Sequence, residues 1–158
     1  MNNRGGNHLE IAMIDTRTAP YAALLLRVTL GGVFLAHAAL KLFLFTPAGT
    51  AKFFASLGLP YELAYITMAA EIIGGLALIV GFRTRIVALA LTPILLGAIV
   101  MVHGKAGFFF NNANGGWEYP AFWIVALVAQ ALLGDGAYAL SSQRNNAVNL
   151  KLAGASSR

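Results

Sequence analysis

Six side chains in this sequence could hold or move a charge within an otherwise apolar chain: Arg27, His37, Lys41, Glu71, His103 and Glu118. Glu71 lies in MAAEIIGGLAL, and helical spacing puts Thr67, Gly74, Gly75 and Leu78 around its face. The two glycines allow a neighbouring helix to come close. A carboxyl placed there is either a hydrogen-bonded group that fixes helix pairing or a proton-relay or quinone-contact group. His37 and Lys41 are four residues apart and share a helix face. His103 falls at a depth similar to His37 when about 1.5 Å is counted per residue. Two imidazoles at matched depth could ligate a haem axially, but single His residues near a headgroup are usually interfacial hydrogen-bonding groups, so the haem reading is disfavoured. No spacing of His and carboxylates matches a tight metal-ligand motif, and no metal site is expected. Glu118 precedes Tyr119-Pro120. It either complements the N-terminus of the helix that Pro120 opens or takes part in acid–base chemistry.

The elements that must position these groups follow from composition. The chain has 158 residues, 58% of them hydrophobic and only 11% charged, against about 25% charged in globular proteins. Mean hydropathy is +0.70. Such a chain cannot cover a water-soluble surface, so the expected class is all-α integral membrane. Cysteine is absent, which excludes disulfides, Cys-ligated iron–sulfur clusters and thiol nucleophiles. A spanning helix needs roughly 20 apolar residues, and four segments come near that: 21–45, 61–82, 86–102 and 119–140. The expected domain layout is a polar tail over 1–20, a four-helix transmembrane domain over 21–140 and a polar tail over 141–158. The N-terminal stretch carries Glu10 and Asp15 and no apolar run, so it does not read as a cleavable signal.

The connections differ in kind. Spans two and three are joined by the basic turn Arg83-Thr84-Arg85. Between spans one and two, Thr46-Pro47 reads as a helix start and Gly58 as a stop, with Phe53, Phe54 and Leu57 on one side, which predicts a short interfacial helix. Arg4, Arg17, Arg83, Arg85, Arg144, Lys151 and Arg158 share one side, against Lys52, Lys105 and Lys41 toward the other. That bias predicts both termini in the cytoplasm. Arg27 lies inside the cytoplasmic end of span one, where it either snorkels to headgroups or pairs with Asp135. The pair is the favoured expectation, because Asp135 otherwise lacks a neutraliser. Pro93 is expected to kink span three.

Taken together, Arg27 with Gly31 and Lys41, the run Glu71–Gly75 with Gly81, His103-Gly104 followed by Gly107-Phe108-Phe109, then Gly116-Trp117-Glu118-Tyr119-Pro120 and Gly134-x-Gly136 resemble the DoxX family of small bacterial membrane proteins. The resemblance covers about residues 24–140. It implies a four-helix bundle in a bacterial inner membrane, and a link to quinone-dependent oxidoreduction in some relatives. Matched position by position, it marks Arg27, Lys41, Glu71, His103 and Glu118; His37 is not part of the pattern. Glu71, His103 and Glu118 are therefore the candidate catalytic residues, and Lys41, His37 and Arg27 the candidate cofactor-binding residues, with quinone as the candidate cofactor. Family membership alone does not fix a reaction.

The leading expectation is a multi-pass membrane component of a quinone-linked oxidoreductase system. The expected partners are the lipid bilayer, a soluble or membrane redox subunit and further copies of the chain. A non-enzymatic accessory or assembly protein and a small proton-coupled transporter are the alternatives. No Gly-rich turn follows a strand and opens a helix, so no dinucleotide site is expected. The positive charge is accounted for by topology, so nucleic acid is not an expected partner.

Overall fold

The structure, a computed structural model, describes residues 15–113 and 115–141. The polar tails expected over 1–20 and 141–158 lie mostly outside them. The described residues form helices and turns, with no strand. Helix α1 (Ala19–Ala39) runs on into a π-helical turn, Leu40–Leu44. Helix α2 spans Pro47–Ser56, α3 Glu62–Val80 and α4 Thr84–Ala98. Helix α4 continues through a second π turn, Ile99–His103, and a 3₁₀ turn, Gly104–Ala106. Helix α5 is Glu118–Leu133. Three of these stretches are long and apolar enough to cross a membrane: Ala19–Leu44, Glu62–Val80 and Thr84–Ala106. Helix α5 is equally apolar but has 16 residues. The segment expected as span four therefore divides: Gly134 and Gly136 both take positive φ, the helix stops at Leu133, and Ala137–Leu140 turns back under the bundle.

Helices α1, α3, α4 and α5 pack in a ring, each against the next and α5 back on α1. Phe34, Leu78, Ala88, Leu91, Trp123 and Leu127 fill its centre. The tightest seam joins α1 to α3. A Cβ added at Gly31 would meet the Gly75 carbonyl at 2.6 Å, and one added at Gly75 would meet the Gly31 carbonyl at 2.9 Å. Paired small residues let the two backbones touch and fix their antiparallel register.

The end of the bundle where α1 begins, the inner end by convention with the outer end opposite it, is closed by one buried cation. Arg27, 1% exposed, donates from Nη1 to the carbonyls of Leu78 (3.0 Å) and Ile79 (2.6 Å) and from Nη2 to Ala137 (2.9 Å). The expected Arg27–Asp135 ion pair does not form, nor does Arg27 snorkel outward. The reason is that helix ends supply both partners. The last carbonyls of α3 lack intrahelical donors and carry the negative end of its dipole, which suits a guanidinium. The first amides of α4 carry the positive end, and Asp135 Oδ1 accepts from Thr84 N at 3.1 Å. Gly81 must be glycine here: its φ is +72°, and an added Cβ would lie 2.6 Å from Arg27 Nη1.

Helix α2 starts as its sequence dictates. Thr46 Oγ1 accepts from Gly49 N at 3.1 Å, with Pro47 in the first turn. Gly58 ends it with φ +79°. Thr50, buried on its inner face, lies 3.3 Å from the carbonyl of Lys41 in the first π turn. Pro93 lies inside α4, which continues through it.

The seam makes a direct expectation. Gly31→Leu should destabilise the protein by about 1–3 kcal/mol through overpacking, whereas Gly97→Ala, whose added Cβ meets nothing within 4 Å, should be neutral. Thermal unfolding of both variants in detergent checks this, and equal effects would count against the seam.

Candidate functional site

The outer half of the ring encloses a cleft of about 1010 Å³. Its walls are overwhelmingly apolar. Five of the six residues singled out from the sequence line it: His37, Lys41, Glu71, His103 and Glu118. Arg27 does not; it lies at the inner end, in the clasp described above.

At the foot of the cleft is an ion pair that spacing along either helix does not reveal. Lys41 Nζ donates to both oxygens of Glu71, at 2.8 and 2.9 Å. The side chains are 19% and 4% exposed. The Gly31–Gly75 register leaves Lys41 and Glu71 six residues out of step, about 9 Å along the axis. Side-chain direction closes that gap. On each helix the Cα–Cβ bond leans toward that helix's own N-terminus, and because α1 and α3 run antiparallel, Lys41 leans inward and Glu71 leans outward. The π turn at Leu40–Leu44 adds a residue to the local winding, and the phase relative to the stripe that packs Gly31 is lost only past it. The register set by the glycines, combined with side-chain lean, was the signal that could have found this pair.

The second π turn ends at His103, and His103 is tied down from the loop. Its Nδ1 lies 2.9 Å from the carbonyl of Gly115. A carbonyl can only accept, so Nδ1 carries a proton in this arrangement. Glu118 stands in the first turn of α5, and its Oε1 also accepts from Phe110 N at 2.8 Å. It thus fastens the loop to the helix as well as complementing the helix end. The loop is further stitched by Trp117 N to Gly107 O and Glu118 N to Phe108 O, both 3.0 Å, and by Asn112 Nδ2 to Ala106 O, 2.8 Å. Gly116 has no room for a side chain, since a Cβ would collide with the carbonyls of Phe108 and Phe109.

His37 stands one turn inward of Lys41 among aromatic rings. It stacks with Tyr119 (centroids 6.4 Å apart, planes 17° apart) and lies 5.0 Å from Trp123. Trp123 in turn packs 4.4 Å from Phe34. Trp123, in the last apolar segment, is a buried wall of the cleft. Phe53, Phe54 and Leu57, on the side of α2 expected to face the interface, line the cleft. Among the described residues, no three His, Cys, Asp or Glu side chains gather closely enough to hold a metal ion.

The chemistry on offer is a neutral whole built from opposite charges. A carboxylate and an ammonium neutralise each other in apolar surroundings, where each alone would be costly. Either partner can form or release a hydrogen bond, or pass a proton, when a polar group enters the cleft. An apolar cavity with a few convergent polar groups is the usual form of a small-molecule site.

Residues 22–104 match the family model described as DoxX. That stretch holds Arg27, His37, Lys41, Glu71 and His103, and Glu118 and Trp123 lie beyond it. A protein of Bacillus subtilis (strain 168) named "Putative oxidoreductase CatD" is 38% identical over 117 residues, covering 74% of this chain and 82% of the relative. No solved structure matches. With over half the chain inside the family model and a relative at this identity, the chain belongs to the DoxX family.

Proposed function

We propose that this protein is the membrane-embedded, quinone-facing component of an oxidoreductase system in the bacterial inner (plasma) membrane. Helix α5 serves as a fourth span alongside α1, α3 and α4, and both termini lie on the cytoplasmic side. The observation that carries the reading is the Lys41–Glu71 pair, held at the foot of a large apolar cleft. Exposed apolar side chains at the cleft, among them Phe53, Ile66, Phe110 and Phe122, suit entry of a lipid-soluble ligand from the bilayer. The name of the Bacillus relative supports redox chemistry, and the basic turn at Arg83 and Arg85 supports the orientation.

Converting a quinone to a quinol requires two electrons and two protons. A partner redox protein supplies the electrons. Lys41 and His103 hydrogen-bond the head group, and Glu71 or Glu118 exchanges the protons. Protonation of Glu71 alone would leave the Lys41 ammonium uncompensated, so proton transfer at the pair is coupled to the negative charge that develops on the reduced ring beside Lys41.

Two measurements test this. Gently purified protein should carry quinone in its lipid extract at near one equivalent per chain, and absence of quinone from such samples would sink the reading. The second measurement separates chemistry from architecture. Lys41→Gln or Glu71→Gln alone should lower stability by about 3–5 kcal/mol by stranding a buried charge, while the double variant should recover most of it. Under the proposal the recovered double variant still fails to bind quinone. If it binds as the wild type does, the pair only joins helices and the accessory-protein reading gains.

A further inference from the structure

Trp123 presents a hydrogen-bond donor that the folded chain leaves unanswered. Its side chain is 5% exposed, and Nε1 has no acceptor. A buried indole N–H ordinarily finds a partner, and one left without loses its hydration for no return. Among the described residues, three other buried polar atoms share this condition, Arg27 Nε, Thr84 Oγ1 and Gln130 Oε1, but none of their residues lines the cleft. Trp123 does, together with His37, Lys41, Glu71 and Tyr119. Its ring contacts are packing contacts, with Phe34 at 4.4 Å, His37 at 5.0 Å and Tyr119 at 5.7 Å. None of them accepts from Nε1.

The surroundings restrict what would complete the bond. An indole N–H donates and never accepts, so the ligand must bring an acceptor. The charge of Lys41 is matched by Glu71, so the cleft holds no surplus cation to draw in an anion. A neutral acceptor remains. The His37 and Tyr119 rings, 17° from parallel, add flat faces suited to a planar ring. We infer that Trp123 Nε1–H donates a hydrogen bond to a carbonyl oxygen of a neutral, planar ligand in the cleft, making Trp123 a ligand-positioning residue alongside Lys41. This rests on the quinone reading of the same site and adds the residue that fixes the ring's orientation.

The test uses the full chain in detergent, labelled with ¹⁵N in its indoles, with Trp117→Phe assigning the two signals. A decyl-substituted benzoquinone is titrated in, with decylbenzene, which has a ring and tail but no carbonyl, as the control. The inference expects the Trp123 indole proton to move downfield with the quinone and to stay in place with decylbenzene. It also expects Trp123→Phe, which keeps a ring against Phe34, to bind the quinone roughly tenfold more weakly, about the worth of one hydrogen bond. If the quinone binds and the indole proton does not move, or decylbenzene moves it equally, the inference is overturned while the proposed function stands. If the quinone does not bind the wild type at all, the proposed function fails and takes the inference with it. Should Trp123→Phe fail to fold, the wild-type proton shift alone decides.

Discussion

The close approach of α1 and α3 at Gly31 and Gly75 is the constraint on which the other features depend. Two backbones in contact can have only one register. In that register the inner part of α1 lies against the last carbonyls of α3, and its outer part reaches Glu71 near the middle of α3. Arg27 and Lys41, on the same helix, are thereby given opposite tasks. The first meets neutral oxygens and becomes a clasp; the second meets a carboxylate and becomes half of a neutral pair. A larger residue at either glycine would push the helices apart and strain the bonds that both cations make.

The two ends differ in how their polar groups are satisfied. At the inner end, backbone answers side chains: Arg27 donates to the last carbonyls of α3 and to Ala137 in the turn after α5, and Asp135 accepts from the first amide of α4. Such bonds involve backbone that cannot move without unwinding a helix, so the end is rigid. At the outer end, Lys41 and Glu71 satisfy each other through side chains, Glu118 accepts from the Phe110 amide, and the aromatic wall carries a donor with no acceptor. Side chains can exchange partners when something else enters. The two ends of the bundle thus differ in how firmly their polar groups are held.

Much of this was legible in the sequence. Apolar run length located α1, α3 and α4 to within a few residues, and Thr46-Pro47 marked the start of α2, because these depend on local composition and capping. The extent of the last helix was misread: the apolar run to Leu140 hid a stop at Gly134-Asp135-Gly136, where backbone conformation overrides hydropathy. The partner of Arg27 was misread because charge matching ignores helix ends, which carry charge without a charged residue. The Lys41–Glu71 contact and the position of Trp123 were not legible from spacing along any one helix. They arise from register between helices and from side-chain lean, which appear only once the glycine seam is placed.

The π turns at Leu40–Leu44 and Ile99–His103 have a consequence for reading related chains. A π turn is a single inserted residue absorbed without breaking the helix. Each insertion rotates everything beyond it, so the outer tips of α1 and α4 are out of phase with the halves that pack the core. Counting steps of three and four from Gly31 still brings Lys41 to the α3 side, where it meets Glu71, and loses its phase only past the π turn. The cleft end can therefore acquire or lose a residue, and re-aim Lys41 or His103, while the packed end stays unchanged. In a fold with no hinge between domains, this lets one part of a helix diversify independently of the other.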